Sequence, residues 1–242
     1  MSDDGLWETH ADWWQRDFSG GADPEYGEQI LPLAAERLRG ARRVLDIGTG
    51  EGQIARLVAK TGSEVIGIDP TWNQIREADR RGGGVSYLRS GAAELPVASA
   101  SVDAAIACLV FEHIVEVDDA IAEVARVLEP GGRFVFMLNH PLLQTPGSGW
   151  IDDQILEPPE QYWRVGPYLT EAESVEEVHK DVFIRFIHRP LSRYVNALIV
   201  NGLYLTEMLE PAPPAGFLAK ADEYEAAATI PRLLVLTSTK MA

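Results

Sequence analysis

The chain has 242 residues, 46% hydrophobic and 24% charged, which suits one α/β domain with an insertion. A formal net charge of −16 and an isoelectric point near 4.7 oppose phosphate backbones and anionic bilayers, so neither nucleic acid nor membrane is an expected partner. The single cysteine, Cys108, excludes an internal disulfide, the acidic start Met1-Ser2-Asp3-Asp4 does not read as a signal peptide, and no apolar run reaches the ~18 residues of a membrane span. The expectation is a cytoplasmic protein.

In chain order, Trp7, Ala11, Trp14 and Phe18 fall at helical spacing and predict an amphipathic helix, broken by Ser19-Gly20-Gly21-Ala22-Asp23-Pro24. A second helix is expected from about Glu25 to Leu38, and residues 1–40 together read as a helical lid. From residue 41 short apolar strands alternate with helices. Strands are expected at 44–47, 65–69, 85–88, 102–110 and 133–138. The intervening helices carry Ile54, Leu57 and Val58, then Trp72, Ile75 and Ala78, then Ile121, Val124, Ala125 and Leu128. Asp118 and Asp119 are expected to cap the third of these, and Pro130-Gly131-Gly132 to stop it. This alternation implies a parallel sheet covered on both faces. Residues 140–189, rich in Pro, Trp, Tyr and Gly, are too long for an ordinary connection and read as an inserted cap. Pro190 then opens a helix with Leu191, Tyr194, Val195, Leu198 and Ile199 on one face. Strands at 203–209 and 233–239 close the core, to which 41–139 and 190–242 both contribute.

Asp46-Ile47-Gly48-Thr49-Gly50-Glu51-Gly52 lies between a strand and a helix, the context in which a glycine-rich turn binds a ligand. Gly48 and Gly50 allow a tight turn and close backbone approach, and Gly52 lets the helix start against the strand. The dinucleotide spacing G-x-G-x-x-G is not met, because Gln53 stands where the third glycine belongs. Glu51 also adds negative charge where a pyrophosphate would sit. A zwitterionic ligand carrying a sulfonium incurs no such penalty, and Asp46 is placed to take its ammonium directly or through water. Asp69 ends the second strand, where a carboxylate can accept both hydroxyls of a ribose. Its other reading is a helix cap, for which Thr71 is better placed.

Val44-Leu45-Asp46-Ile47-Gly48-Thr49-Gly50-Glu51-Gly52 followed by Gly67-Ile68-Asp69 resembles the class I S-adenosylmethionine-dependent methyltransferases. Gly91-Ala92-Ala93-Glu94-Leu95-Pro96 resembles their adenine loop. The stretches Val102-Asp103-Ala104-Ala105 to Phe111-Glu112-His113, Val127-Leu128-Glu129-Pro130-Gly131-Gly132 and Pro231-Arg232-Leu233-Leu234 resemble their fourth strand, the turn before the fifth, and the start of an antiparallel seventh. The resemblance is close over residues 40–140 and looser over 189–242. It implies a Rossmann-like, seven-stranded, mostly parallel α/β sheet with an antiparallel last strand, and S-adenosyl-L-methionine as cofactor. Carried over by position, Thr49 belongs to the glycine turn, Asp69 holds the ribose, and Pro70 or Trp72 flanks the adenine. The Ala93 amide donates to the ring, the Leu109 carbonyl lies near the amino-acid end, and His113 sits near the mouth. Tyr26 resembles N-terminal tyrosines that touch the cofactor carboxylate. Ala92 departs from the pattern, since it cannot accept from the adenine amino group. Glu94 either supplies that acceptor or faces solvent.

His140 ends the fifth strand and His188 ends the cap, and either ring suits a general base near neutral pH or a bond that closes the cap. Tyr162, Trp163 and Tyr194 are expected pocket walls, and His10 and His179 surface residues. No histidine, cysteine or carboxylate spacing reads as a metal site. The expected function is methyl transfer to a small-molecule acceptor by a monomer or homodimer, with O-, N- or C-methylation open. The alternative is a non-catalytic regulatory subunit that binds S-adenosylmethionine or S-adenosylhomocysteine. Nucleic-acid amino methylation is disfavoured. Leu109-Val110-Phe111-Glu112 stands where those enzymes resemble each other in an Asn/Asp-Pro-Pro-aromatic motif.

Overall fold

The computed structural model describes residues 5–221 and 225–241. Five strands alternate with helices: β1 (Arg43–Ile47), β2 (Glu64–Asp69), β3 (Ser86–Arg89), β4 (Val102–Cys108) and β5 (Leu128–Asn139). Two hairpins follow, β6 (Gly149–Asp153) with β7 (Glu160–Arg164) and β8 (Ala172–His179) with β9 (Val182–His188). The last strands are β10 (Leu203–Leu209) and β11 (Leu233–Lys240). The central sheet has the order β10-β11-β5-β4-β1-β2-β3. The first five strands run parallel, and β11 lies antiparallel to both β5 and β10. The strand order reverses between β1 and β4. The carboxyl ends of strands at such a point open the crevice in which α/β sheets bind ligands.

Both faces of the sheet are covered, as its unbroken apolar strands require. Leu45, Ile47, Phe134 and Phe136 pack under Ile121 and Val124 of α5 (Val117–Val127) and Leu198 of α6 (Leu191–Val200). Val44, Ile106 and Val135 pack on the other side against Ile54 and Val58 of α3 (Gln53–Ala59). Ala34 of α2 (Leu31–Arg37), a helix entered through a π-turn at Tyr26–Ile30, joins that cluster. Phe111, Phe134 and Phe136 are wholly buried and touch one another, with ring centroids 4.7–6.1 Å apart. Each such ring contributes about 1.5–3 kcal/mol by leaving water.

Two sequence expectations differ from the fold. Asp118 and Asp119 lie inside the first turn of α5, where their charge complements the helix dipole, and Glu116 holds the cap position. Asp118 binds Arg193 of α6 at 2.6 and 2.7 Å instead of capping its own helix. Pro130-Gly131-Gly132 does not separate helix from strand, because β5 already begins at Leu128 and runs through all three.

Before the sheet, α1 (Leu6–Asp17) lies over β9, with Trp13 against Val182 and Ile184. Trp14 stacks on Phe18 at 4.3 Å, and Gln53 Nε2 donates to the Phe18 carbonyl at 2.9 Å, which ties the end of α1 to the start of α3.

Glu112 follows β4 in a short helical turn, Phe111–His113, and is buried. Its Oε1 accepts the Asn139 backbone N–H at 3.2 Å and the Asn139 amide at 2.9 Å, which joins this turn to the end of β5. Desolvation pushes the carboxyl up to about 7. A carboxyl raised above its ordinary 4.5 favours the folded chain fully below that pH, and the contribution is lost as pH rises through about 7. Glu112→Gln keeps the Oε1 acceptor and removes the ionisation. Urea unfolding should show the variant gaining on the wild type between about pH 4.5 and 8; a difference independent of pH would show that Glu112 does not titrate as a buried group.

Candidate cofactor and acceptor site

The glycine turn leaves β1 and is held by backbone bonds on both sides. Thr49 N–H donates to the Ile68 carbonyl, Gly50 N–H to Asp69 Oδ2 and Gly52 N–H to the Thr49 carbonyl, each at 2.9 Å. Gly48 has φ +67°, and a Cβ there would run into the Val110 side chain, so both conformation and space demand glycine. Gly52, at φ +84°, would meet the Tyr87 hydroxyl. Its constraint is the packing of α3 on β3, and it does not line the cavity described below.

Asp46 lies beneath the turn, not in the cavity. Its Oδ2 accepts from Thr49 Oγ1 at 2.7 Å and from Ala55 N–H at 3.1 Å, and desolvation pushes its carboxyl up to about 7. The direct ammonium contact expected of it is replaced by a brace under the turn. Glu51 is buried and turned away as well. Its carboxylate meets Arg56 at 2.6 Å, Arg81 at 3.1 Å and the Ser19 hydroxyl at 2.5 Å. The expected repulsion between Glu51 and a pyrophosphate is therefore absent, since both arginines neutralise it.

A cavity of about 300 Å³ opens over the carboxyl ends of β1, β2 and β4. Of the expected cofactor residues, Tyr26, Gly48, Thr49, Gly50, Asp69, Pro70, Ala93, Leu109 and His113 all line it. Asp69 is buried, with Oδ1 accepting the Thr71 N–H at 2.8 Å and Oδ2 that of Gly50 at 2.9 Å. The Thr71 hydroxyl also interacts with this carboxylate, and what is left of its about four lone-pair sites is open to a ligand hydroxyl. Asp69 thus ties the glycine turn to the entrance of α4 and also lines the cavity. Leu109 follows β4 at φ +56°, an uncommon conformation for a bulky side chain, and lines the cavity. Tyr26 is buried, with its hydroxyl 3.9 Å from Cys108 Sγ, and burial holds its phenol well above the usual range.

The other expected residues lie elsewhere. Trp72 is half exposed on the outer side of α4 (Trp72–Arg81), and Glu94 faces solvent. His140 spends both ring nitrogens outside the cavity, with Nε2 on Glu210 at 2.8 Å and Nδ1 accepting from Leu142 N–H at 3.1 Å. His188 is buried against Tyr168, its Nε2 donating to that residue's carbonyl at 2.8 Å. Neither is positioned as a base for a ligand in the cavity, because the insert folds as hairpins that carry both strand ends aside. Tyr194 packs in the core on Phe136 at 5.6 Å. Tyr162 is exposed on β7. Trp163 packs edge-on against Trp150 at 5.6 Å, beside a smaller cleft with Arg232 and Phe217.

The two indoles that line the cavity carried no site signal in the sequence. Trp7 and Trp14 of α1 form a wall, and Arg185 of β9 is the insert's contribution among the described residues. Helix α4 is capped from a distance. Thr71 occupies the cap position without a side-chain bond, and Glu8 of α1 accepts the Trp72 and Asn73 N–H groups at 2.6 and 3.1 Å. Gln15 adds a bond to Gln74 Oε1 at 3.0 Å. Such a cap lies 64 positions from the helix it serves and has no local pattern to reveal it.

His113 joins the three parts of the molecule. Its Nδ1 lies 2.6 Å from the Arg185 carbonyl, and its ring meets Trp7 at 5.0 Å and Phe186 at 4.8 Å. Desolvation lowers its pKa to about 4, so the ring is neutral at physiological pH.

Strand order, glycine turn and the carboxylate ending β2 define a nucleoside-binding α/β domain of the Rossmann-like class. Residues 45–136 match a family described as methyltransferase domain. The demethylmenaquinone methyltransferase of Thermus thermophilus is 34% identical over 125 residues, 49% of this chain and 56% of that protein. The O-methyltransferase resE of Aspergillus sclerotiorum is 35% identical over 144 residues, 51% of this chain and 50% of that protein. The chain spans about half the length of the curated relatives it matches. An S-adenosylmethionine-dependent methyltransferase from Mesorhizobium loti superposes with a TM-score of 0.76 at 24% identity, over 90% of this chain and 98% of its own. Residues 45–136 are therefore similar to this methyltransferase domain family, and the fold of the chain is that of the solved S-adenosylmethionine-dependent methyltransferase.

Removing the Glu8 carboxylate leaves two amides of α4 without their acceptor. Glu8→Ala should cost about 0.5–2 kcal/mol in chemical denaturation. Exchange of the Trp72 and Asn73 amides should accelerate while those of β4 and β5 stay protected.

Proposed function

We propose that this chain transfers a methyl group from S-adenosylmethionine to a small-molecule acceptor held in the cavity. The observation that carries the reading is the placement of Asp69, a buried carboxylate on the wall of a cavity that the backbone of Gly48 and Gly50 also lines. Asp69 would hold the ribose, Pro70 and Ala93 would flank the base, and Tyr26, kept protonated by burial, would donate to the carboxylate.

When bound, the cofactor supplies a methyl group on a sulfonium, which an aligned nucleophile displaces. The protein's task is then alignment and exclusion of water. Trp7 and Trp14 of α1, His113 after β4 and Arg185 of β9 all line the cavity, so an acceptor there would meet side chains from three segments distant in sequence. A concave cavity of this size suits a small molecule, and the net charge of −16 disfavours a nucleic-acid acceptor. The names of the two relatives, a demethylmenaquinone methyltransferase and an O-methyltransferase, support the same acceptor class.

Titration with S-adenosylhomocysteine tests the reading, with no metal added. The wild type should bind and melt at higher temperature. Asp69→Ala should bind about 10- to 150-fold more weakly, the equivalent of ~1.5–3 kcal/mol for hydrogen bonds to a charged group. Absence of binding to the wild type would refute the proposal. Unchanged affinity in the variant would confine Asp69 to bracing the turn.

A further inference from the structure

His113 is fixed in one tautomer by the fold. A carbonyl oxygen only accepts, so the 2.6 Å contact with the Arg185 carbonyl requires the proton on Nδ1 and leaves the Nε2 lone pair available. Nε2 has no hydrogen-bond partner among the described residues. The ring lies on the cavity wall, clamped by Trp7 and Phe186, so its orientation is set by packing as well as by the bond. Trp7, Ile114 and Val115 present apolar wall on the same side, a surface that suits a flat ring. The Arg185 side chain, held by Glu173 at 3.1 Å, lines the cavity too and places positive charge near any oxygen that develops negative charge there.

Resting on the methyltransferase reading, we propose that His113 Nε2 accepts the proton of the acceptor's reacting hydroxyl, and that the acceptor is a planar phenol or enol. An oxygen lone pair forms the new O–CH3 bond as the S–CH3 bond breaks, its electron pair returning to sulfur to leave a neutral thioether. The hydroxyl proton passes to Nε2, giving an imidazolium that remains bonded to the Arg185 carbonyl and then loses the proton to water. The acidity of the acceptor follows from the ring's environment. A buried imidazole is a weak base, and a weak base matches an acidic phenol or enol better than an alkyl alcohol.

His113→Asn tests this, because the asparagine amide can still donate to the Arg185 carbonyl while nothing replaces Nε2. The probe is 4-nitrophenol, added to protein saturated with S-adenosylhomocysteine. Calorimetry should give the variant cofactor-product affinity within about 3-fold of wild type, and 4-nitrophenol affinity roughly 5-fold lower or more, as for one lost hydrogen bond. Methyl transfer to 4-nitrophenol, followed by S-adenosylhomocysteine release, should fall about 10²-fold or more. Nitrogen NMR of histidine-labelled wild type should place the His113 proton on Nδ1 and show the Nε2 resonance moving as 4-nitrophenol binds. The inference is overturned by a proton on Nε2, by equal 4-nitrophenol binding and turnover in wild type and variant, or by loaded wild type that binds no phenol. Failure of S-adenosylhomocysteine to bind would instead remove the methyltransferase reading on which it rests.

Discussion

The Asp69 carboxylate is the joint on which the site depends. One oxygen takes the N–H of Gly50 in the turn after β1, and the other takes the N–H of Thr71 at the entrance to α4. Two loops from adjacent strands are thereby fixed to a single rigid group at the carboxyl edge of β2. Burial raises the cost of its charge, and hydrogen bonds to the charged form offset that cost. The glycine turn keeps its shape because this carboxylate, with Asp46 below it, supplies the acceptors that its amides and hydroxyl need.

The acidic character of the turn is managed by burying its other carboxylates away from the cavity. Glu51 is matched by Arg56 and Arg81, while Asp46 binds neutral donors and has its carboxyl raised toward neutrality. A buried pair whose one partner is deleted leaves an uncompensated charge, so these arginines are positioned to protect the fold, not to meet a ligand. The cavity wall consequently carries a carboxylate in Asp69, the Arg185 side chain and the neutral imidazole of His113.

Closure of the site is built from chain segments distant in sequence. Glu8 completes the hydrogen bonding of α4, Trp7 packs on His113, and His113 is bonded to β9. Helix α1, the turn after β4 and strand β9 therefore share contacts at the cavity wall. Motion of α1 would uncap α4 and remove two indole walls together, which couples access to the cavity with order in the helix that follows Asp69.

The α/β rhythm, the strand positions and the glycine turn were legible in the sequence because each depends on local chemistry. Apolar runs alternate with helical periodicity, and a left-handed turn at Gly48 beside Val110 admits only glycine. Asp69 was legible for the same reason, since one helix and one strand return the chain to the neighbouring position in a parallel sheet. The roles of His140, His188 and Tyr194 were not, because residues at strand ends can turn either way and only packing decides. Here Glu210, Tyr168 and Phe136 engage them outside the cavity. Nor could the sequence show that Asp46 and Glu51 turn inward, that Glu8 caps a helix 64 residues on, or which nitrogen of His113 keeps its proton. Local propensity and periodicity determined the elements and the turn; the tautomer, the remote cap and the composition of the cavity wall were decided by contacts between segments that only the tertiary structure brings together.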